Sequence, residues 1–140
     1  MGKDIITGVK GSEKGVKGSE RTIVLVAEEG ASLSGGSLRL YALPYGCVDL
    51  YNYDPLNRRA AVGIMVATEY RRQGYGLAML RELERMYSTK IHCLYADIAS
   101  VNTASLALFK KAGYEQCGHF KEWLEYDSHF IDTIRMQLIL

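Results

Sequence analysis

The chain has 140 residues, with 17 Lys and Arg against 16 Asp and Glu and a formal net charge of +1. That length suits one domain around one core, and the near-balance of charge excludes nucleic acid or an anionic membrane as partners recognised by bulk charge. Cys47, Cys93 and Cys117 stand singly, without Cys-x-x-Cys spacing, which argues against a disulfide framework or a structural metal and for a reduced, cytoplasmic chain; no apolar stretch is long enough to span a bilayer.

Residues 1–20 hold a near-perfect tandem, Gly8-Val-Lys-Gly-Ser-Glu13 and Gly15-Val-Lys-Gly-Ser-Glu20. Two copies are too few for a solenoid, and their composition buries no face, so residues 1–20 are expected to form a flexible arm before a single domain over 21–140. Arg21 to Ala27 is a short β-branched run that reads as a strand, and Leu38 to Leu43 reads as another, stopped by Pro44. Cys47 to Tyr53 alternates as a third, with turn residues Asp54 to Arg59 leading into Ala60 to Ala67. This last run is apolar at nearly every position, the mark of a central strand covered on both faces.

The basic, glycine-punctuated stretch Glu69-Tyr-Arg-Arg-Gln-Gly-Tyr-Gly76 follows, opening a helix to Ser88 whose apolar stripe is Leu77, Leu80, Leu83 and Tyr87. Gly74 and Gly76 let a ligand approach the backbone, the first-turn amides of the helix have no partner within it, and Arg71 and Arg72 add positive charge: an anion cradle. No Gly-Lys-Ser/Thr follows, and a third glycine is missing, so neither the Walker A nor the dinucleotide pattern is met. Lys90 to Ile98 is the next strand, which makes strand, helix and strand a parallel crossover. Asn102 is placed to cap a helix that closes at Gly113, with Leu106, Phe109 and Ala112 as its apolar stripe. Two β-rich runs, Tyr114 to Tyr126 and Phe130 to Leu140, form a final antiparallel hairpin about Asp127-Ser-His129.

The combination of an apolar strand, an Arg71-x-x-Gly74-x-Gly76 helix, a strand, an Asn102-x-x-Ser105-x-x-Leu108-Phe-x-Lys-x-Gly113-Tyr114 helix and a closing hairpin resembles the GNAT superfamily of acetyl-CoA-dependent N-acetyltransferases. Asp54-x-x-x-Arg-Arg59 and Phe130-x-Asp-x-Ile-Arg-Met136 look like its spermidine/diamine and ribosomal-protein branch. The resemblance implies an α/β (α+β) fold: a central mixed, mostly antiparallel twisted sheet with flanking helices and a parallel pair at the coenzyme A cleft. It implies that Arg71, Arg72, Gln73, Gly74, Tyr75 and Gly76 hold the coenzyme A pyrophosphate, that the backbone of Met65, Val66 and Ala67 pairs with pantetheine, and that Asn102 and Ser105 meet the pantetheine arm. No metal is implied. The activity implied is transfer of acetyl from acetyl-CoA to a primary amine, polyamine-like or peptidic, by direct attack in a ternary complex.

Two departures from the family stand out. Phe109 occupies the position where many relatives carry the tyrosine that protonates the leaving thiolate, which leaves Tyr95 and Tyr114 as substitute donors and Phe109 itself as a neighbour of the coenzyme. Residues 1–45 show no counterpart of the two helices that wall the acceptor pocket in relatives, so a homodimer completing that side is one implied partner. An acyl-CoA-binding or degenerate module with little transferase activity is the alternative.

Overall fold

The computed structural model describes residues 9–11 and 21–140; most of the tandem-bearing segment lies outside them. Strand β1 (Val9–Gly11) pairs antiparallel with β2 (Arg21–Ile23) as a separate two-stranded ribbon. The main sheet contains β3 (Leu38–Ala42), β4 (Gly46–Asp54), β5 (Arg59–Val66), β6 (Cys93–Ala99), β7 (Glu115–Tyr126) and β8 (His129–Ile139), in the order β3-β4-β5-β6-β8-β7. All neighbours are antiparallel except β5 and β6, which run parallel on either side of helix α1 (Tyr75–Tyr87). Helix α2 (Thr103–Lys111) joins β6 to β7. The mixed, mostly antiparallel sheet with its parallel pair is the architecture expected above.

Alternation along the strands sorts the sheet into two faces. Leu40, Val48, Leu50, Ala60, Val62, Leu94, Ala96, Ile98, Ile134 and Met136 join Met79, Leu80, Leu83 and Phe109 in one buried cluster beneath the helices. The other face carries Arg39, Asp49, Gly63, Tyr51, Tyr95, Asp97 and Arg135, which share rows across the sheet by register. No described helix lies on it.

The run from Arg21 to Ala27 forms less strand than its β-branched composition predicts. It leaves β1 after Ile23, lies against α1, and touches the main sheet through a single bridge, Val26 to Tyr41, while Ile23 and Leu25 turn into the core. The strand expected from Lys90 begins at Cys93, because the Lys90 and Ile91 amides both donate to the Tyr87 carbonyl and close the helix. The hairpin has a two-residue loop, Asp127-Ser128, with both residues at positive φ (55° and 67°), the geometry whose twist matches that of the flanking strands.

Candidate functional site

β5 and β6 are paired only over Arg59 with Cys93, Ala60 with Leu94, and Ala61 with Tyr95. Beyond that rung β5 runs on to Val66 and β6 to Ala99, and the sheet opens. A cleft of about 670 Å³ lies on the helix side of this opening. Its floor is Ile64, Met65 and Val66; one wall is Tyr70, Arg71, Arg72, Gly74, Gly76 and Leu77; the other is Asn102, Ala104, Ser105, Ala107, Leu108 and Lys111.

The first wall is built by local chemistry. A single 3₁₀ turn, Thr68–Tyr70, carries the chain from β5 toward α1. Arg71 Nε donates to the Val66 carbonyl at 2.8 Å, tying the loop to the strand end, and Gln73 Nε2 donates to the Glu69 carbonyl at 3.0 Å. Gly74 sits at the N-cap of α1 with φ 91° and brings no capping side chain of its own, which suits the start of this helix to meeting an anion. A Cβ at Gly76 would stand 3.0 Å from Leu108 Cδ2, so a side chain there would press on the opposite wall. The loop rests on a tyrosine cluster in which Tyr45 and Tyr75 stack at 4.3 Å and Tyr70 meets both edge-on.

On the second wall, the Asn102 side chain accepts the Ser105 amide at 3.1 Å and caps α2. Open glycine-bounded amides, two arginines, Lys111 and an apolar floor together fit an elongated anion with a less polar tail.

The cleft gathers Met65, Val66, Arg71, Arg72, Gly74, Gly76, Asn102 and Ser105. Four other residues picked from the sequence do not line it. The Ala67 amide donates to the Tyr45 carbonyl at 2.8 Å, Gln73 folds back on its own loop, and Tyr75 packs in the tyrosine cluster. Phe109 is buried edge-on against Tyr114, with ring centroids 4.9 Å apart. Of the two tyrosines considered as proton donors, Tyr114 has a buried hydroxyl with no hydrogen-bond partner, and burial, reinforced by Glu84, pushes its phenol well above the ordinary value. Tyr95 lies on the opposite face of the sheet, under the Arg135 guanidinium at 4.5 Å. Sequence reasoning missed Lys111, Ala104, Ala107 and Leu108. Their signal was present in the spacing, since they line the side of α2 opposite its buried Phe109 and Ala112.

Comparison with known proteins agrees with this geometry. The family model described as Acetyltransferase (GNAT) family matches residues 18–114. A spermidine N(1)-acetyltransferase of Vibrio cholerae is 24% identical over 96 residues, covering 67% of this chain and 56% of the relative. Among solved structures, SpeG, a spermidine N-acetyltransferase from Vibrio cholerae, has a TM-score of 0.67 at 22% identity, over 74% of this chain and 66% of its own. RimL, a ribosomal α-N-protein acetyltransferase in complex with coenzyme A, scores 0.72 at 18% identity, over 76% and 64%. MccE, a microcin self immunity acetyltransferase in complex with acetyl-CoA and AMP, scores 0.70 at 17% identity, over 76% and 63%. At these identities the structural likeness carries the fold, and the chain spans about two thirds or less of each relative's length.

Proposed function

Because the chain belongs to the GNAT family of acetyltransferases, we propose that it transfers an acetyl group from acetyl-CoA to a primary amine, of a polyamine-like small molecule or of a peptide. The observation that carries this reading is the cleft itself: an amide and arginine cradle at one end, and at the other a sheet opened to its far face. In this reading the pyrophosphate takes the first-turn amides of α1 with Arg71 and Arg72, and pantetheine runs along the β6-facing edge of β5 past Ala61 as an added strand. The thioester then reaches the opening, where a neutral amine approaches from the far side.

The amine nitrogen forms a bond to the acetyl carbon, the carbon–sulfur bond breaks, and the thiolate takes a proton while the new amide loses one. A free backbone N–H at the strand edge would stabilise the oxyanion. Tyr95, which ends the paired rungs, and solvent are the proton sources in this reading, since a thiolate whose conjugate acid has a pKa of about 8.5 is protonated readily by water. Tyr114 could serve only by leaving its buried site. A second copy of the chain that completes the acceptor side, and a cytoplasmic setting, belong to the same proposal; sedimentation tests the former.

Phe109, which has no proton to give, and the absence of described helices on the acceptor face favour one alternative, an acyl-CoA-binding or degenerate module. Calorimetry with coenzyme A and a thiol-release assay over an amine panel separate the two. Turnover with any primary amine supports transfer; tight coenzyme binding with no turnover supports the alternative; no binding refutes both.

A further inference from the structure

The helix-free face of the sheet borders the opening between β5 and β6, and its rows can be read from the register. Asp49 pairs with Gly63, and Tyr51 with Ala61, which pairs in turn with Tyr95. The next same-face residues beyond that last rung are Gly63 and Met65 on β5 and Asp97 and Ala99 on β6, and these border the opening. Met65 is 56% exposed, and the Tyr51 ring lies over Gly63, whose missing side chain leaves Tyr51 Cε1 only 3.7 Å from where a Cβ would be.

Both carboxylates that flank the opening on this face are already neutralised. Arg39 grips Asp49 with Nε to Oδ1 at 2.7 Å and Nη2 to Oδ2 at 2.9 Å, and Arg135 grips Asp97 in the same two-point way at 2.7 and 2.8 Å. Two of the aromatic rings on this face are occupied too, for the Arg135 guanidinium sits 4.5 Å from the Tyr95 ring centroid and 5.4 Å from that of Phe120. Phe120 in turn lies 5.1 Å from Trp123, which is 64% exposed. A hollow of about 480 Å³ bounded by Ala31, Ser32, Arg39, Asp49 and Tyr51 gives this face further room. Of the hairpin's other acidic residues, Glu122, Glu125 and Asp127 lie at its bulge and tip and Asp132 is held by His119, while Glu115, paired with Gln137, ends the Tyr95 row on the edge strand, two strands away from the opening.

We infer that this face admits the acceptor and selects a primary amine carried on an aromatic or aliphatic body with a single positive charge, in preference to a polyamine. The inference rests on the acetyl transfer proposed above. A carboxylate held by a two-point arginine has little attraction left for a second cation, and the extra ammonium groups of a polyamine would be desolvated against rings and methionine without compensation. An apolar body gains instead, at about 25 cal/mol for each Å² it covers.

The test is an initial-rate thiol-release assay at saturating acetyl-CoA with phenethylamine, phenylalanyl-glycyl-glycine and spermidine. We expect kcat/KM for one of the aromatic amines to exceed that for spermidine by at least tenfold, and which of the two leads tells a small amine from a peptide. Spermidine equal or better overturns the inference and leaves acetyl transfer standing, as does turnover of another amine of the panel with none of these three; no turnover across the whole panel, coenzyme binding intact, overturns transfer and the inference with it. Arg135→Gln uncovers Asp97 and should raise the spermidine-to-phenethylamine ratio about fivefold, as one exposed ion pair would. Adding Asp97→Asn should reverse the gain, and an unchanged ratio in the folded single variant counts against the inference. Should Arg135→Gln not fold, Arg39→Gln uncovers Asp49 and is read in the same way.

Discussion

Gly74 allows the anion cradle to be tested by charge alone. A Cβ at this position would meet nothing within 4 Å, and its φ of 91° is one that Asn and Asp tolerate better than other side chains. Gly74→Asp and Gly74→Asn are nearly isosteric, share the backbone cost of roughly 1–2 kcal/mol, and present the same oxygen to the α1 amides as an N-cap. They differ by one negative charge at the place where the pyrophosphate is proposed to sit. Two unit charges 4 Å apart interact by about 4 kcal/mol at an effective dielectric near 20 and about 1 kcal/mol in water; for an open cleft we take roughly 2–3 kcal/mol, or about 30- to 150-fold in Kd. Calorimetry with coenzyme A should show Asp binding weaker than Asn by that factor at low salt, with the gap narrowing toward 1 M salt, where the screening length falls to about 3 Å. Equal affinities in two folded variants, or a gap indifferent to salt, would refute an anion at the α1 N-terminus.

Phe109→Tyr restores the hydroxyl many relatives carry, but places it on a ring that is 2% exposed and edge-on to Tyr114; we expect a loss of about 1–3 kcal/mol in denaturant titration and no gain in turnover, whereas faster turnover would show that the ring reaches the thioester. Glu84 has a buried, unpartnered Oε2, and burial raises its carboxyl above the ordinary value although Arg81 pulls it down. A carboxyl raised on folding favours the folded state below its unfolded pKa and loses that contribution as pH rises through the folded value, so Glu84→Gln should raise Tm at pH 7 relative to acid and flatten the slope between; an unaltered slope contradicts this. Gly46→Ala puts a Cβ into the Met65 carbonyl oxygen, so the end of β5 must move; coenzyme affinity should fall at least tenfold while α1 and the distant hairpin keep their amide-exchange protection, and unchanged affinity would show that this strand end does not shape the cleft.

The cleft that we propose for the coenzyme was legible in the sequence because its signals are local. Arg71, Gly74 and Gly76 fall within six residues, and Asn102 announces its helix by a cap that the structure places on the Ser105 amide. Elements with strong periodicity, α1 and β5 above all, came out within a residue or two of their bounds. The face proposed for the acceptor was not legible, because it is made by register. Asp97 and Arg135 are 38 residues apart and Arg39 and Asp49 lie on different strands; nothing in their spacing says they pair, and until they pair each carboxylate reads as a site for a cation. The face of α2 that lines the cleft was overlooked for a different reason: Ala104 and Ala107 carry no chemistry of their own and matter only through what they leave room for.

The opening of the sheet follows from the same long-range bookkeeping. The end of β5 is drawn to β4: Gly46 pairs with Val66, its bare Cα lets the Met65 carbonyl come in, and the Ala67 amide donates to Tyr45 at 2.8 Å. The end of β6 is drawn the other way, with Ala99 paired to Thr133 on β8 and the Ser100 amide donating to the Asp132 carbonyl at 2.8 Å. Asp132 is fixed in turn, its carboxylate accepting the Glu122 amide at 2.8 Å and lying 2.7 Å from His119 Nε2. Two parallel strands whose ends are committed to opposite neighbours must part, and they part where α1 and α2 both begin. A cradle for an anion and a passage to the far face of the sheet therefore arise from one strand geometry, and a substitution at Gly46 or Asp132, neither of which lines the cleft, is positioned to widen or close it.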